Sequence, residues 1–310
     1  MILQILLLIV GLALVVFGAD YLVDGASSIA RRFCLSEFVI GLTIVGMGTS
    51  APEMVVSFIG AIQGNAAISL GNVVGSNIFH TLLILGTTAL ILPIGITREN
   101  IRKDIPINVL VTILFILMLY SGLSRWEGAV LLAFFAWYMW DSFRSGTQDV
   151  EQPADGSTPR KVWLSLLMIA GGLSALVFGG RLFVNSATHI AQALGVSDKF
   201  IAITILAGGT SLPELATCVA AAVKKKGQLA LGNIIGSNIF NVLLILGGSA
   251  LIHPLAATGI SYVDMGALLA SALALVAACF IGKKNQLDRL DASLFLLIFA
   301  AYMTYLIINL

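Results

Sequence analysis

Residues 45–60 read VGMGTSAPEMVVSFIG and residues 206–221 read LAGGTSLPELATCVAA, so the pattern GTSxPE occurs twice, 161 residues apart. Each copy sets a glutamate inside a long apolar stretch. At the same offset, VFGADYLVDGASSIA (16–30) aligns with VFGGRLFVNSATHIA (177–191), and GNVVGSNIFHTLLILG (71–86) with GNIIGSNIFNVLLILG (232–247). From Val16 to Gly86, 30 of the 71 aligned pairs are identical without a gap. Chance identity between two apolar segments is far lower, so the chain is a duplicated unit.

The setting of those motifs follows from composition. The 310 residues are 58% hydrophobic and only 11% charged. A soluble domain carries about 25% charged residues, so this chain lacks the ionic surface to stay in water. A helix of about 20 apolar residues crosses a bilayer core. Runs of that kind bounded by turn residues predict ten spans, near 2–24, 37–62, 69–92, 105–121, 126–143, 162–185, 198–222, 229–252, 261–281 and 290–308. The N-terminal run has no basic leader and no small-residue cleavage site after it, so it reads as the first span. The domains expected are 1–143, a polar linker 144–161 with two prolines, and 162–310.

Charge placement predicts orientation. With the odd-to-even connections on one side, fourteen of the seventeen Lys and Arg residues fall there, and only Arg125, Arg181 and Lys199 fall elsewhere. The basic side is cytoplasmic. Both termini then face outward, in a multi-pass protein of the plasma (inner) membrane. Five spans per unit make the second copy enter upside down, a build that recurs in secondary transporters with midplane sites on interrupted helices. The fold class expected is therefore an all-α membrane protein, two inverted five-helix repeats with broken helices 2, 3, 7 and 8.

Glu53 and Glu214 lie deep in spans two and seven, where an ionisable group costs several kcal/mol unless it meets a cavity, a partner or an ion. One reading is a protonated acid bonded to a neighbouring helix; the other is a cation site. Proline removes a backbone donor, so Pro52 and Pro213 free carbonyls just before each acid. Unpaired carbonyls at membrane depth line a cavity or meet a cation. Thr49, Ser50, Thr210 and Ser211 add hydroxyls, completing a hard oxygen set of the kind that suits Ca²⁺. In spans three and eight, Ser76 with His80 and Ser237 with Asn241 are four residues apart and share a helix face. His80 breaks the repeat, its counterpart being Asn241. It reads as a packing residue, a neutral nitrogen near the ion path, or a group that titrates. Cys34, Cys218 and Cys279 show no ligand spacing and read as small packing residues.

With both motifs present twice over essentially the whole chain, the sequence resembles the calcium/cation antiporter superfamily, in its prokaryotic sodium/calcium exchanger branch. The resemblance implies ten helices with spans 2, 3, 7 and 8 around a central ion site. It implies that Glu53 and Glu214 are carboxylates shared by Ca²⁺ and Na⁺, that Thr49, Ser50, Thr210 and Ser211 supply hydroxyl or backbone oxygens, and that Ser76 and Ser237 flank sodium sites. Gly46 and Ala207 would offer carbonyls. The family often has Asn or Asp where this chain has His80 and Asn241; Asn241 fits and His80 departs. The function expected is Na⁺/Ca²⁺ antiport by alternating access. H⁺ or K⁺ coupling and a passive cation channel remain alternatives. No HExxH or GxSxG motif supports an enzyme. The partners expected are the two ions and the lipid bilayer, with no cofactor, nucleic acid or obligatory protein partner.

Overall fold

The computed structural model describes residues 1–145, 160–196, 205, 207–257, 259–281 and 285–309. Most of the linker 144–161, the opening of the seventh expected span, and Lys199, Lys283 and Lys284 lie outside the described residues. The helices are α1 (Ile2–Arg32), α2 (Glu37–Thr49), α3 (Ala51–Ile62), α4 (Ala66–Ile91), α5 (Asn100–Ser121), α6 (Arg125–Ser145), α7 (Val162–Ala193), α8 (Ala207–Gly209), α9 (Leu212–Val223), α10 (Gly227–Ile252), α11 (Tyr262–Phe280) and α12 (Arg289–Ile308).

Among the described residues, seven helices are long and apolar enough to cross a membrane, or eight when the bent pair α2 and α3 counts as one. The chain is a multi-pass membrane protein. Helix α6 spans 21 residues but stands outside that set, its run interrupted by Trp126, Glu127, Trp137, Tyr138, Trp140 and Asp141. Helix α9 has 12 residues and follows the short turn α8.

Of the four helices expected to break, α2/α3 does so, bending by 49° at Ser50. Helices α4 and α10 do not, which corrects the expectation for spans three and eight. Neither contains a proline, so no backbone donor is missing. Instead the coil widens to a π-helical turn over Phe79–Leu85 and Asn241–Leu246, starting beside His80 and at Asn241. Such widenings occur frequently at functional sites.

Glycines set how the helices approach. A Cβ on Gly11 would lie 2.7 Å from Phe183 N, on Gly18 2.8 Å from Gly172 O, and on Gly25 2.9 Å from Ser165 O. As the number rises along α1 it falls along α7, so these two repeat-related helices pack antiparallel. Small residues allow such close contact between membrane helices. At the centre, a Cβ on Gly41 would run into Leu229 O and one on Gly232 into Phe38 O, so α2 and α10 touch backbone to backbone.

The connections meet in two groups. Strand β1 (Ile94–Gly95) pairs antiparallel with β2 (Gln286–Leu287), joining the α4–α5 and α11–α12 connections. Leu123 and Leu255 bridge the α5–α6 and α10–α11 connections. Ion pairs join several connections and helix ends. Lys224 lies 2.6 Å from both Asp20 and Asp24, Arg160 3.4 Å from Asp24, Lys226 3.5 Å from Glu37, and Lys103 2.6 Å from Asp141. Burial holds the Lys226 ammonium below the ordinary lysine pKa, with Glu37 opposing the shift. Cys218 and Cys279 are buried, whereas Cys34 is exposed, contrary to its expected packing role.

Candidate functional site

The two GTSxPE segments fold alike because their chemistry is alike. Ser50 and Ser211 each occupy the position before a helix, with φ/ψ of −78°/7° and −89°/7°, and Pro52 and Pro213 sit in the first turn. A serine there ordinarily caps by accepting a backbone N–H from the next turn. Neither does so here. Proline removes one such donor, and each hydroxyl reaches across to the other half instead. Ser50 Oγ donates to Glu214 Oε1 at 3.1 Å, and Ser211 Oγ donates to Glu53 Oε1 at 3.1 Å. The contacts are reciprocal.

Both glutamates are fully buried. Their second oxygens, Glu53 Oε2 and Glu214 Oε2, have no hydrogen-bond partner among the described residues. Ligand atoms from Glu53, Glu214 and His80 all lie within 4.8 Å of one another. Buried polar atoms are almost always paired, so two unpaired carboxylate oxygens in one cluster require an explanation. A cation coordinated by both carboxylates would supply that pairing.

Asparagines of the GNxxGSN segments do two jobs. Asn72 and Asn233 tie helices within a half through their amide nitrogens: Asn72 Nδ2 donates to Glu53 O and Ser57 Oγ, both at 3.0 Å, and Asn233 Nδ2 reaches Cys218 Sγ at 3.3 Å, while Asn233 Oδ1 also meets the other half at Thr49. Asn77 and Asn238 work between halves. Asn77 Nδ2 donates to the Asn238 carbonyl at 3.2 Å, and its Oδ1 accepts from Asn241 Nδ2 at 2.8 Å. That leaves Asn241 Oδ1 without a partner among the described residues. Asn238 Nδ2 donates to Thr81 Oγ1 at 2.8 Å, and its Oδ1 lies 3.1 Å from His80 Nδ1. His80 Nε2 is left unpartnered in the same way. Of the expected face, His80 therefore lies in one ligand cluster with the glutamates, while Asn77 and Asn238, singled out only as motif letters, hold Asn241 and His80 in place.

The remaining expected residues lie close by. Ser211 Oγ is 3.5 Å from Ser76 Oγ, and Ser237 Oγ 3.5 Å from Gly46 O. Thr49 Oγ1 donates to Val45 O at 3.1 Å and to Asn233 Oδ1 at 3.2 Å. Thr210 is half-buried beside Ser211. The Gly46 carbonyl is not freed by Pro52, because it keeps the Ser50 N–H at 3.1 Å. The proline sits too far along the chain to deprive it. Ala207 belongs to the turn α8, and its side chain lies outside the described residues.

Comparison with known proteins converges on one family. The model of the family described as sodium/calcium exchanger protein matches residues 3–143 and 164–308. Inner membrane protein YrbG of Escherichia coli is 39% identical over 82% of this chain and 81% of its own. Sodium/calcium exchanger MaX1 of Methanosarcina acetivorans is 31% identical over 97% of both chains. Among solved structures, the sodium-calcium exchanger NCX_Mj superposes with a TM-score of 0.86, at 36% identity over 98% of each chain.

Proposed function

This chain belongs to the sodium/calcium exchanger family, a family of antiporters, and from that premise we propose that it exchanges Na⁺ for Ca²⁺ by alternating access, with Glu53 and Glu214 holding the ions. The observation that carries the reading is the pair of buried carboxylates, each with one oxygen engaged by the other half and one unpartnered among the described residues. Around them Thr49, Ser50, Thr210, Ser211, Ser76, Ser237 and Asn241, with the Gly46 and Ala207 carbonyls, make an oxygen-rich set suited to hard cations.

Two glutamates carry a charge of −2, which one Ca²⁺ or several Na⁺ neutralise. Emptied, they leave two like charges near each other where the dielectric is low, and that repulsion disfavours moving the empty site between its two openings. Loading therefore permits the switch, and exchange follows. The moving element in this reading is the α1/α7 pair, whose Leu173 and Val184 side chains pack over Gly48 and Gly209 of the core. Crosslinking α1 to the core without loss of exchange would sink that assignment.

The architecture proposed is ten spans in two inverted units, 1–143 and 162–310, joined by 144–161. Antiparallel packing of α1 on α7 supports the inversion. The basic connections are assigned to the cytoplasm and both termini to the outside. A second reading, coupling to H⁺ or K⁺ instead of Na⁺, draws on His80, which takes an oxygen out of the set.

The test is flux into sealed vesicles at clamped pH. Ca²⁺ uptake driven by an outward Na⁺ gradient is expected from the native protein and lost in Glu53→Gln and Glu214→Gln. Normal exchange by either variant overturns the reading.

A further inference from the structure

The ion site carries one ligand that an all-oxygen calcium site has no use for. His80 is fully buried, and its ring lies with Glu53 and Glu214 in one cluster of ligand atoms. Its counterpart in the other half, Asn241, has a buried amide oxygen with no partner among the described residues. At the repeat-related position the two halves thus offer different elements: oxygen from one, nitrogen from the other.

The hydrogen bonds around His80 determine what that nitrogen is. Asn238 uses its amide nitrogen on Thr81 Oγ1, so the atom facing His80 Nδ1 is the carbonyl oxygen, which only accepts. With the amide in this orientation, Nδ1 carries the proton and donates. In the neutral ring Nε2 is left as a bare lone pair, buried and unpartnered among the described residues. A histidine that ligates a metal through one nitrogen and donates the other N–H to a carbonyl has this arrangement. Asn77 positions Asn241 by the repeat-related contact, so the histidine is held by the same device that holds an oxygen ligand.

We propose that His80 Nε2 is a ligand for a transported first-row transition divalent cation, with Mn²⁺ as the test ion, which this site accepts alongside Ca²⁺. The inference rests on the ion-binding reading above and names a further cargo for it. Carboxylate and amide oxygens suit Ca²⁺ and Mn²⁺ alike, whereas imidazole nitrogen favours transition ions. Exchanging one oxygen for that nitrogen shifts the site's preference toward them.

Pulsed electron paramagnetic resonance on the purified full chain with Mn²⁺ reads the ligand without any transport. Nitrogen coupling to bound Mn²⁺ is expected, altered by ¹⁵N-histidine labelling and absent in His80→Asn. That variant copies the residue the other half already uses at this position. His189 and His253, the other two histidines, should contribute no coupling. In vesicles, the preference for Mn²⁺ over Ca²⁺ should fall about tenfold or more in His80→Asn, since even losing a partner behind a ligand costs that much. Bound Mn²⁺ without nitrogen coupling, or coupling that survives His80→Asn, overturns the inference. So does Na⁺/Ca²⁺ exchange with no Mn²⁺ binding or flux, which leaves the proposed function standing. Failure to move either ion sinks both.

Discussion

Around Ser50 and Ser211 the two halves of the site are interchangeable, while around His80 and Asn241 they differ in the chemistry they present. Each serine donates to the opposite glutamate at 3.1 Å. Each asparagine at the next shared position, Asn77 or Asn238, fixes a side chain of the other half. What is fixed is an amide oxygen in one case and an imidazole nitrogen in the other. The duplicated scaffold keeps the positioning asparagine, though its own amide nitrogen bonds Thr81 in one half and a backbone carbonyl in the other, and it varies the atom delivered. On the proposed function, such a division would place selectivity in one residue and charge balance in the symmetric pair.

The largest effects should come from the symmetric part. Glu53→Gln and Glu214→Gln each remove half the charge that holds a divalent ion, and ion affinity in oxygen sites depends strongly on ligand charge. Both should lower Na⁺-driven Ca²⁺ uptake by about 100-fold or more, and by similar amounts. A large inequality between them would break the equivalence of the two halves.

Next come the positioning asparagines. Asn238→Ala and Asn77→Ala should each weaken ion binding by about 10–100-fold, the usual cost of losing a group that orients a ligand. Their ion profiles should differ. Asn238→Ala releases His80 and should penalise Mn²⁺ more than Ca²⁺, whereas Asn77→Ala releases an oxygen and should penalise both. Competition of each ion against Ca²⁺ uptake reads the difference, and identical profiles would show that the asymmetry at His80 has no consequence for selectivity. Ser50→Ala and Ser211→Ala remove a hydrogen bond to a carboxylate, worth about 1.5–3 kcal/mol when the acceptor is charged. Bound ion will replace part of that, so a fall in ion affinity of about tenfold is expected, matched between the two variants.

Much of this was legible from the chain alone, for identifiable reasons. The offset of 161 paired Glu53 with Glu214, and the rarity of charge at membrane depth marked them as functional. The bend at Ser50 was legible because proline acts on its own helix. Asn77 and Asn238 were not, because their partners lie 158 to 164 positions away and only folding brings them together. The π-helical turns in α4 and α10 were also hidden. Glycine-rich helices without proline can break, kink or widen, and the local sequence does not choose among those outcomes.

A smaller asymmetry tests whether the repeat relation extends to the surface. The turn after α3 runs Gln63-Gly64-Asn65, and its counterpart after α9 runs Lys224-Lys225-Lys226. Both central residues are left-handed, Gly64 at φ 69° and Lys225 at φ 58°. Glycine adopts that conformation freely, whereas a residue with a Cβ is held there at about 1–2 kcal/mol. Ion pairs flank the lysine in its turn, Lys224 lying 2.6 Å from Asp20 and Asp24 and Lys226 3.5 Å from Glu37. Lys225→Gly should relieve the backbone and lose chain-entropy advantage of about 0.5–1 kcal/mol. The net stabilisation is then within about 1 kcal/mol, read as a small rise in the detergent melting temperature. Gly64→Lys should do the reverse. A melting temperature that does not fall in Gly64→Lys would mean that the two turns are not equivalent, and the repeat would end at the helices.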